Sequence, residues 1–275
     1  MKLWGNLLIY VAAGYLFSLV MIPFLFKMLR DAGAVRPNYR SEEIPVGAGM
    51  FIPFVYCAVV IAMQRFQESK WLIFLFGLTY FGLLGLVDDL LGSRSSTGFK
   101  GHFSSLIRGK LTTGALKALG GGAGAILISL FSFPHKPWWQ VLAAALLIAL
   151  SANTLNLFDL RPGRALKVFF LWFLMLIPVG WKSGYLSLLA PMVGCVLAYA
   201  PHDLKARAML GDTGSNMLGA ALGMASVWML SFSAQLGAVA FLFALHLFTE
   251  RYSLTAIIER NRFLNFLDRL GRGGE

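Results

Sequence analysis

The chain has 275 residues, 57% of them hydrophobic and only 13% charged, with a formal net charge of +11. Soluble domains carry about 25% charged residues; here apolar runs of about 17–25 residues recur along the whole length, each long enough to cross about 30 Å of hydrocarbon. The composition excludes an ordinary soluble domain. The basic excess sits in the connections between apolar runs, which argues against a nucleic-acid surface and predicts no nucleic-acid partner.

In chain order, the spacing predicts helices over 3–29, 46–64, 70–91, 111–132, 138–158, 165–181, 184–200, 213–231 and 234–257. The first run is too long for a signal-peptide core and lacks a small-residue cleavage pattern, so it reads as a retained helix. Cys57 and Cys195 lie inside apolar runs without CxxC or Cys/His spacing, and no structural disulfide is expected. The connections alternate in character. Residues 65–70, 132–137, 182–183 and 231–233 are short and poorly charged, whereas 27–45, 92–110, 159–167, 201–212 and 251–275 are longer and charged. The second set, with the adjoining helix ends, holds 19 of the 24 Lys and Arg residues. The positive-inside rule makes that set cytoplasmic, with the N-terminus outside and the C-terminus inside. The expected architecture is an all-α integral membrane protein, a polytopic bundle of about nine transmembrane helices. It forms a single transmembrane domain over 1–275, with 251–275 as a cytoplasmic amphipathic tail. On the same assignment 12 of 13 acidic residues fall on the cytoplasmic side. The topology rule concerns basic residues only, so a site built on that face is the natural cause.

Four stretches carry that site. GLVDDLLG ends the third helix with Asp88 and Asp89. At the bilayer centre each carboxylate would cost roughly 3 kcal/mol, and a helix C-terminus disfavours acids. The pair therefore suggests a cation and phosphate site at the membrane surface. Lys110 and Lys117, seven residues apart, share a face at the start of the fourth helix. Lys117 lies roughly 10 Å further along the axis than Lys110, beyond easy snorkelling. Asn153, Asn156 and Asp159 recur every third residue and form a slowly drifting polar stripe at the end of the fifth helix. Such residues offer oxygen ligands for hard cations and amide donors for phosphate or sugar hydroxyls. Packing by interhelical hydrogen bonds is the plainer alternative. MLGDTGSNMLG reads as a tight turn and helix start, where Asp212, Thr213 or Ser215 can cap and free N–H groups favour an anion. Carboxylates from separate helix ends with lysines are what diphosphate chemistry needs, since metal and Lys neutralise the leaving phosphate.

These residues resemble the polyprenyl-phosphate N-acetylhexosamine-1-phosphate transferase superfamily (glycosyltransferase family 4), which includes the phospho-N-acetylmuramoyl-pentapeptide transferases. The motifs follow the family's order: RPNYRSEEIPVGAG, GLVDDLLG, the Lys-bearing fourth helix, NTLNLFD and LGDTGS. The resemblance implies transfer of a sugar-1-phosphate from a UDP-sugar to undecaprenyl or another polyprenyl phosphate. The sugar would be an N-acetylhexosamine, and UMP is released for cell-envelope glycan synthesis. It implies Mg²⁺, with Mn²⁺ as the alternative, and a cytoplasmic active site in a bacterial plasma membrane. It allows a homodimer. By motif, Asp88, Asp89 and Asp159 are expected to be catalytic, and Lys110, Lys117, Asn153 and Asn156 to bind substrate. Asp212 and Asp89 are expected to hold metal.

The chain departs from the family pattern in two places, which marks a divergent member. The second aspartate usual three residues after the Asp159 equivalent is replaced by Pro162, and the region after the ninth helix contains no histidine, His246 lying inside that helix. These losses keep open a catalytically silent homologue that binds polyprenyl phosphate or serves as an assembly partner. A secondary transporter is the weaker alternative, because the acids collect at one surface and no internal repeat is visible.

Overall fold

The computed structural model describes residues 2–92, 108–109 and 112–272. Its long helices are α1 (Lys2–Asp31), α2 (Phe51–Ala62), α3 (Ser69–Leu91), α4 (Thr113–Ser132), α5 (Trp138–Phe158), α6 (Arg164–Gly180), α7 (Leu186–Leu204), α8 (Gly211–Met229) and α9 (Phe232–Arg251). Two short helices, α10 (Leu254–Arg260) and α11 (Arg262–Arg269), follow. The expected helices are therefore present, with two corrections. The predicted 46–64 helix starts only at Phe51, because Gly47 adopts a left-handed φ of 74° and opens a 3-10 turn over Ala48–Met50. The predicted 234–257 helix stops at Arg251, where Ser253 caps a new helix by accepting from the Ala256 N–H. A small antiparallel hairpin, β1 (Val35–Pro37) with β2 (Glu43–Pro45), pairs Arg36 with Ile44 in the connection read from sequence as a charged loop.

α8 is the centre of the bundle. From Thr213 to Val227 every residue is buried, and the run is dominated by Gly, Ala, Ser and Met. Without a hydrophobic drive inside lipid, helices associate through close packing of such small residues. α3 and α5 pack along α8, and α1 pairs with α7 as a second layer.

Among the described residues, five helical stretches are long and apolar enough to cross a membrane: Asn6–Asp31, Ser69–Leu91, Thr113–Ser132, Trp138–Phe158 and Phe232–Arg251. Their outward faces carry large apolar side chains, among them Leu8, Val20 and Phe24 on α1 and Phe241, Phe243 and Leu247 on α9. Satisfied backbone inside and apolar side chains outside is the arrangement that hydrocarbon requires. The molecule is an all-helical membrane protein in its architecture.

The C-terminal tail is docked rather than freely solvated. Asp268 on α11 is buried, and its carboxylate receives Arg164 Nε at 2.8 Å and Nη2 at 2.9 Å. Arg272 pairs with the same carboxylate at 2.8 Å, and Lys167 Nζ donates to the Asp268 carbonyl at 2.6 Å. Arg164 is itself buried at the first turn of α6, so the tail is fastened to the loop that follows Asp159.

Candidate active site

Asp89 explains how two carboxylates survive at the end of α3. Its Oδ1 accepts from the Asp212 N–H at 2.9 Å. Its Oδ2 accepts from the Thr213 N–H at 2.9 Å and from Thr213 Oγ1 at 2.6 Å. The two N–H donors are orphan groups of the first turn of α8. A charge disfavoured at the C-terminus of its own helix is thus placed at the N-terminus of another, where the dipole favours it. The cap that the sequence placed locally, on Asp212, Thr213 or Ser215, comes instead from Asp89 across the bundle. Close approach makes this contact possible. A Cβ on Gly85 would lie 2.2 Å from the Asp212 carbonyl oxygen, and one on Gly211 would lie 2.4 Å from Asp89 Oδ2.

The hairpin segment closes the other side. The Met209 N–H donates to the Pro45 carbonyl at 2.8 Å, and Ala48 and Gly49 donate to the Met209 and Leu210 carbonyls at 3.1 Å. Arg36 Nη2 reaches the Asp89 carbonyl at 3.4 Å. Replacing Thr213 by valine keeps its shape and removes one donor to a half-buried carboxylate. We expect a loss of about 1.5–3 kcal/mol, read as a lowered midpoint in thermal unfolding; an unchanged midpoint would show that the contact carries no weight.

Asp88, one residue earlier on α3, turns to a different partner. Lys117 Nζ on α4 lies 3.2 Å from Asp88 Oδ2 and is also ion-paired with Asp212 Oδ2. Asn156 on α5 joins them. With its amide oriented to satisfy both neighbours, its nitrogen donates to Asp212 Oδ1 at 3.0 Å and to Ser215 Oγ at 3.2 Å. Its oxygen then accepts from Lys117 Nζ at 2.9 Å. Asn216 Nδ2 holds the Asp212 carbonyl at 2.7 Å. Four helices, α3, α4, α5 and α8, therefore bring one ammonium, two carboxylates and one amide to a point.

Asp159 stands just past the end of α5, half-buried, with no hydrogen bond or ion pair to its carboxylate among the described residues. Burial, followed by the charges of Asp203, Asp212 and Asp89, holds its carboxyl well above the usual range. The loop after it is pinned from two sides. Asp203 Oδ2 accepts from the Gly163 N–H at 2.6 Å, and Arg272 Nε donates to the Pro162 carbonyl at 2.8 Å.

The donor set suits a hard cation. Among the described residues no group of three or more His, Cys, Asp or Glu side chains forms a preformed metal cage. Mg²⁺ asks for less: one or two carboxylates, with substrate phosphate oxygens and waters completing the shell. Asp88 and Asp212 meet that need, and the Asn156 amide oxygen adds a neutral ligand beside them.

The family model described as glycosyl transferase family 4 matches residues 71–230. The chain belongs to glycosyl transferase family 4. It is a membrane transferase. The matched stretch contains Asp88, Asp89, Lys117, Asn153, Asn156, Asp159 and Asp212. Three similar proteins are phospho-N-acetylmuramoyl-pentapeptide-transferases. That of Clostridium perfringens is 27% identical over 229 residues, covering 76% of this chain and 68% of the relative. That of Thermotoga neapolitana is 27% identical over 244 residues, covering 79% and 74%. That of Chlamydia trachomatis is 29% identical over 248 residues, covering 78% and 73%.

Within this family 4 chain, the residues singled out from sequence fall into three groups. Asp88, Lys117, Asn156 and Asp212 meet directly, and Asp159 stands close enough to feel the charge of Asp212. Asp89 is engaged on both oxygens by α8. Asn153 is exposed and hydrogen-bonds none of the other described site residues, and Lys110 lies outside the described residues. Sequence reasoning passed over Asp203, Arg164 and Asn216. The signal for Asp203 was a carboxylate at the end of an apolar run; that for Arg164 was a basic residue directly after Pro162 and Gly163. His246 bonds the Leu242 carbonyl of its own helix at 2.7 Å, away from the cluster.

Proposed function

We propose that this chain transfers a sugar-1-phosphate, an N-acetylhexosamine derivative, from a UDP-sugar to undecaprenyl or another polyprenyl phosphate. The observation that carries the reading is the convergence of Lys117 on Asp88 and Asp212, with Asn156, inside the stretch shared with the family. In the net reaction an oxygen of the lipid phosphate bonds to the β-phosphorus of the UDP-sugar. The bond from that phosphorus to the bridging oxygen breaks, and UMP leaves with the electron pair.

The chain's own residues have distinct tasks. Lys117 places an ammonium where phosphate oxygens gather negative charge. Asp88 and Asp212 hold that ammonium in position and are the carboxylates available to a divalent cation. Bound Mg²⁺, or Mn²⁺, would supply charge neutralisation on the diphosphate. Asn156 orients Asp212 and Lys117 relative to one another. Asp159, poorly stabilised as an anion, is the carboxylate suited to take a proton from a substrate phosphate. Asp89 ties the end of α3 to the start of α8. The cluster would lie at the cytoplasmic face of a nine-span bundle in a bacterial plasma membrane, with the N-terminus outside. The distribution of basic residues supports that orientation. Pro162 and the histidine-free segment after α9 favour a donor recognised differently from those of the relatives.

Purified protein, undecaprenyl phosphate and Mg²⁺ incubated with a panel of UDP-sugars test this reading. UMP release with at least one UDP-N-acetylhexosamine is expected. No UMP across the panel, with undecaprenyl phosphate still bound, would replace it with a silent lipid-binding homologue. Solute uptake into proteoliposomes without metal would point to a transporter.

A further inference from the structure

The charged ends of α1 and α7 enclose a cleft of about 410 Å³ that shares no residue with the Asp88–Lys117–Asp212 cluster. Its volume falls within the range of about 300–1,000 Å³ typical of small-ligand sites. Its floor is apolar, made by Ile22, Pro23 and Phe26. Its rim is charged, made by Lys27, Arg30 and Arg207 with Asp31 and His202. Phe26 and His202 pack their rings edge to face, with centroids 5.0 Å apart, which fixes the floor to α7.

The polarity follows the helix axis. Ile22 lies about 12 Å deeper along α1 than Arg30, so a molecule filling the cleft meets cations at one end and hydrocarbon at the other. The three cationic side chains make no hydrogen bond or ion pair among the described residues. Arg207 is brought to the rim by a strained turn. Ala206 before it has φ 50°, a left-handed conformation that costs a non-glycine residue about 1 kcal/mol or more. Asn38 Nδ2 holds that turn by donating to the Ala206 carbonyl at 3.2 Å.

We propose that this cleft binds an anionic phospholipid of the surrounding leaflet, its phosphate between Lys27, Arg30 and Arg207 and its acyl chain along Ile22, Pro23 and Phe26. A soluble phosphate would leave the apolar floor unused. The polyprenyl phosphate acceptor has similar chemistry, but here it would sit on the α1–α7 seam, apart from the cluster built by α3, α4, α5 and α8. The occupant is therefore a resident lipid. Basic pockets between membrane helices recognise anionic headgroups in this way, and juxtamembrane cations add to the attraction.

Native mass spectrometry of the full chain in detergent tests the site, with phosphatidylglycerol and phosphatidylcholine of identical acyl chains as probes. Phosphatidylglycerol is expected to bind at least about tenfold more tightly than phosphatidylcholine, and Arg30→Ala/Arg207→Ala to abolish that preference. Arg260→Ala/Arg262→Ala removes the same charge at two exposed positions of the docked tail and is expected to keep it. Equal preference in the wild type and the cleft variant, or equal loss in both variants, would overturn the proposal. Displacement of phosphatidylglycerol by inorganic phosphate at matched concentration would make this a soluble-anion site. Tighter retention of undecaprenyl phosphate than of phosphatidylglycerol, lost in the cleft variant, would make it an acceptor-holding site. Either result would refute the resident lipid.

Discussion

Replacing Lys117 by methionine is expected to lower UMP release at saturating substrate by at least about a hundredfold. Methionine matches the length and apolar stem of lysine and removes only the charge. The ammonium touches both Asp88 and Asp212 and donates to the Asn156 amide oxygen as a third neighbour. Without it, two carboxylates face each other across a half-buried gap, and charge building on the phosphates loses its fixed counterion. Removing one preorganised donor to a developing anion costs about 10²–10³ in rate. Lys117→Arg is not expected to rescue, because a planar guanidinium does not fit the place of a compact ammonium held by three oxygens. A Lys117→Met rate within threefold of wild type would show that the cluster is a packing device.

The second large effect lies away from the cluster. Arg164→Ala leaves the Asp268 carboxylate buried without its bidentate partner, and Asp268→Ala does the same to Arg164. Each change is expected to destabilise by about 3–5 kcal/mol. Because the two act as one unit, the double replacement should cost little more than either single one. Full additivity in thermal unfolding would mean the pair does not fasten the tail. The pair also predicts a pH dependence. Burial alone would push the Asp268 carboxyl up, but the hydrogen bonds and charge of Arg164 and the charge of Arg272 outweigh it and hold the group below its usual range. A folded-state value below the unfolded value of about 3.9 gives stability that is fully present above that pH. This stability is lost as pH falls through the lower, folded value. Asp268→Asn should therefore flatten the acid limb of the stability curve.

Much of the helical layout was legible in the sequence, because hydrocarbon demands long apolar runs and each run ends in charge or a turn residue. What the runs do not encode is where a local conformation interrupts them. Gly47 delays the second helix by its left-handed backbone, and Ser253 cuts the ninth short by capping a new one. The acids were visible as a group, and the meeting of Asp88, Lys117, Asn156 and Asp212 fits the expectation drawn from their common face. The division of labour within the Asp pair was not legible. Adjacent residues on a helix point about 100° apart, and only the neighbouring helices decide that Asp89 faces the N-terminus of α8 while Asp88 faces Lys117. The anchoring of the amphipathic tail was illegible for a related reason. Its mixed charges look solvated in sequence, yet Asp268 is buried because Arg164 waits for it more than a hundred residues earlier, at the start of α6.

The most direct test is a Mg²⁺ titration of UMP release from a UDP-N-acetylhexosamine in the presence of undecaprenyl phosphate, comparing wild type with Asp212→Asn. Saturable, chelator-sensitive release by the wild type is expected, with a loss of at least about a hundredfold in the variant. Release that ignores Mg²⁺, or that survives Asp212→Asn undiminished, would contradict it.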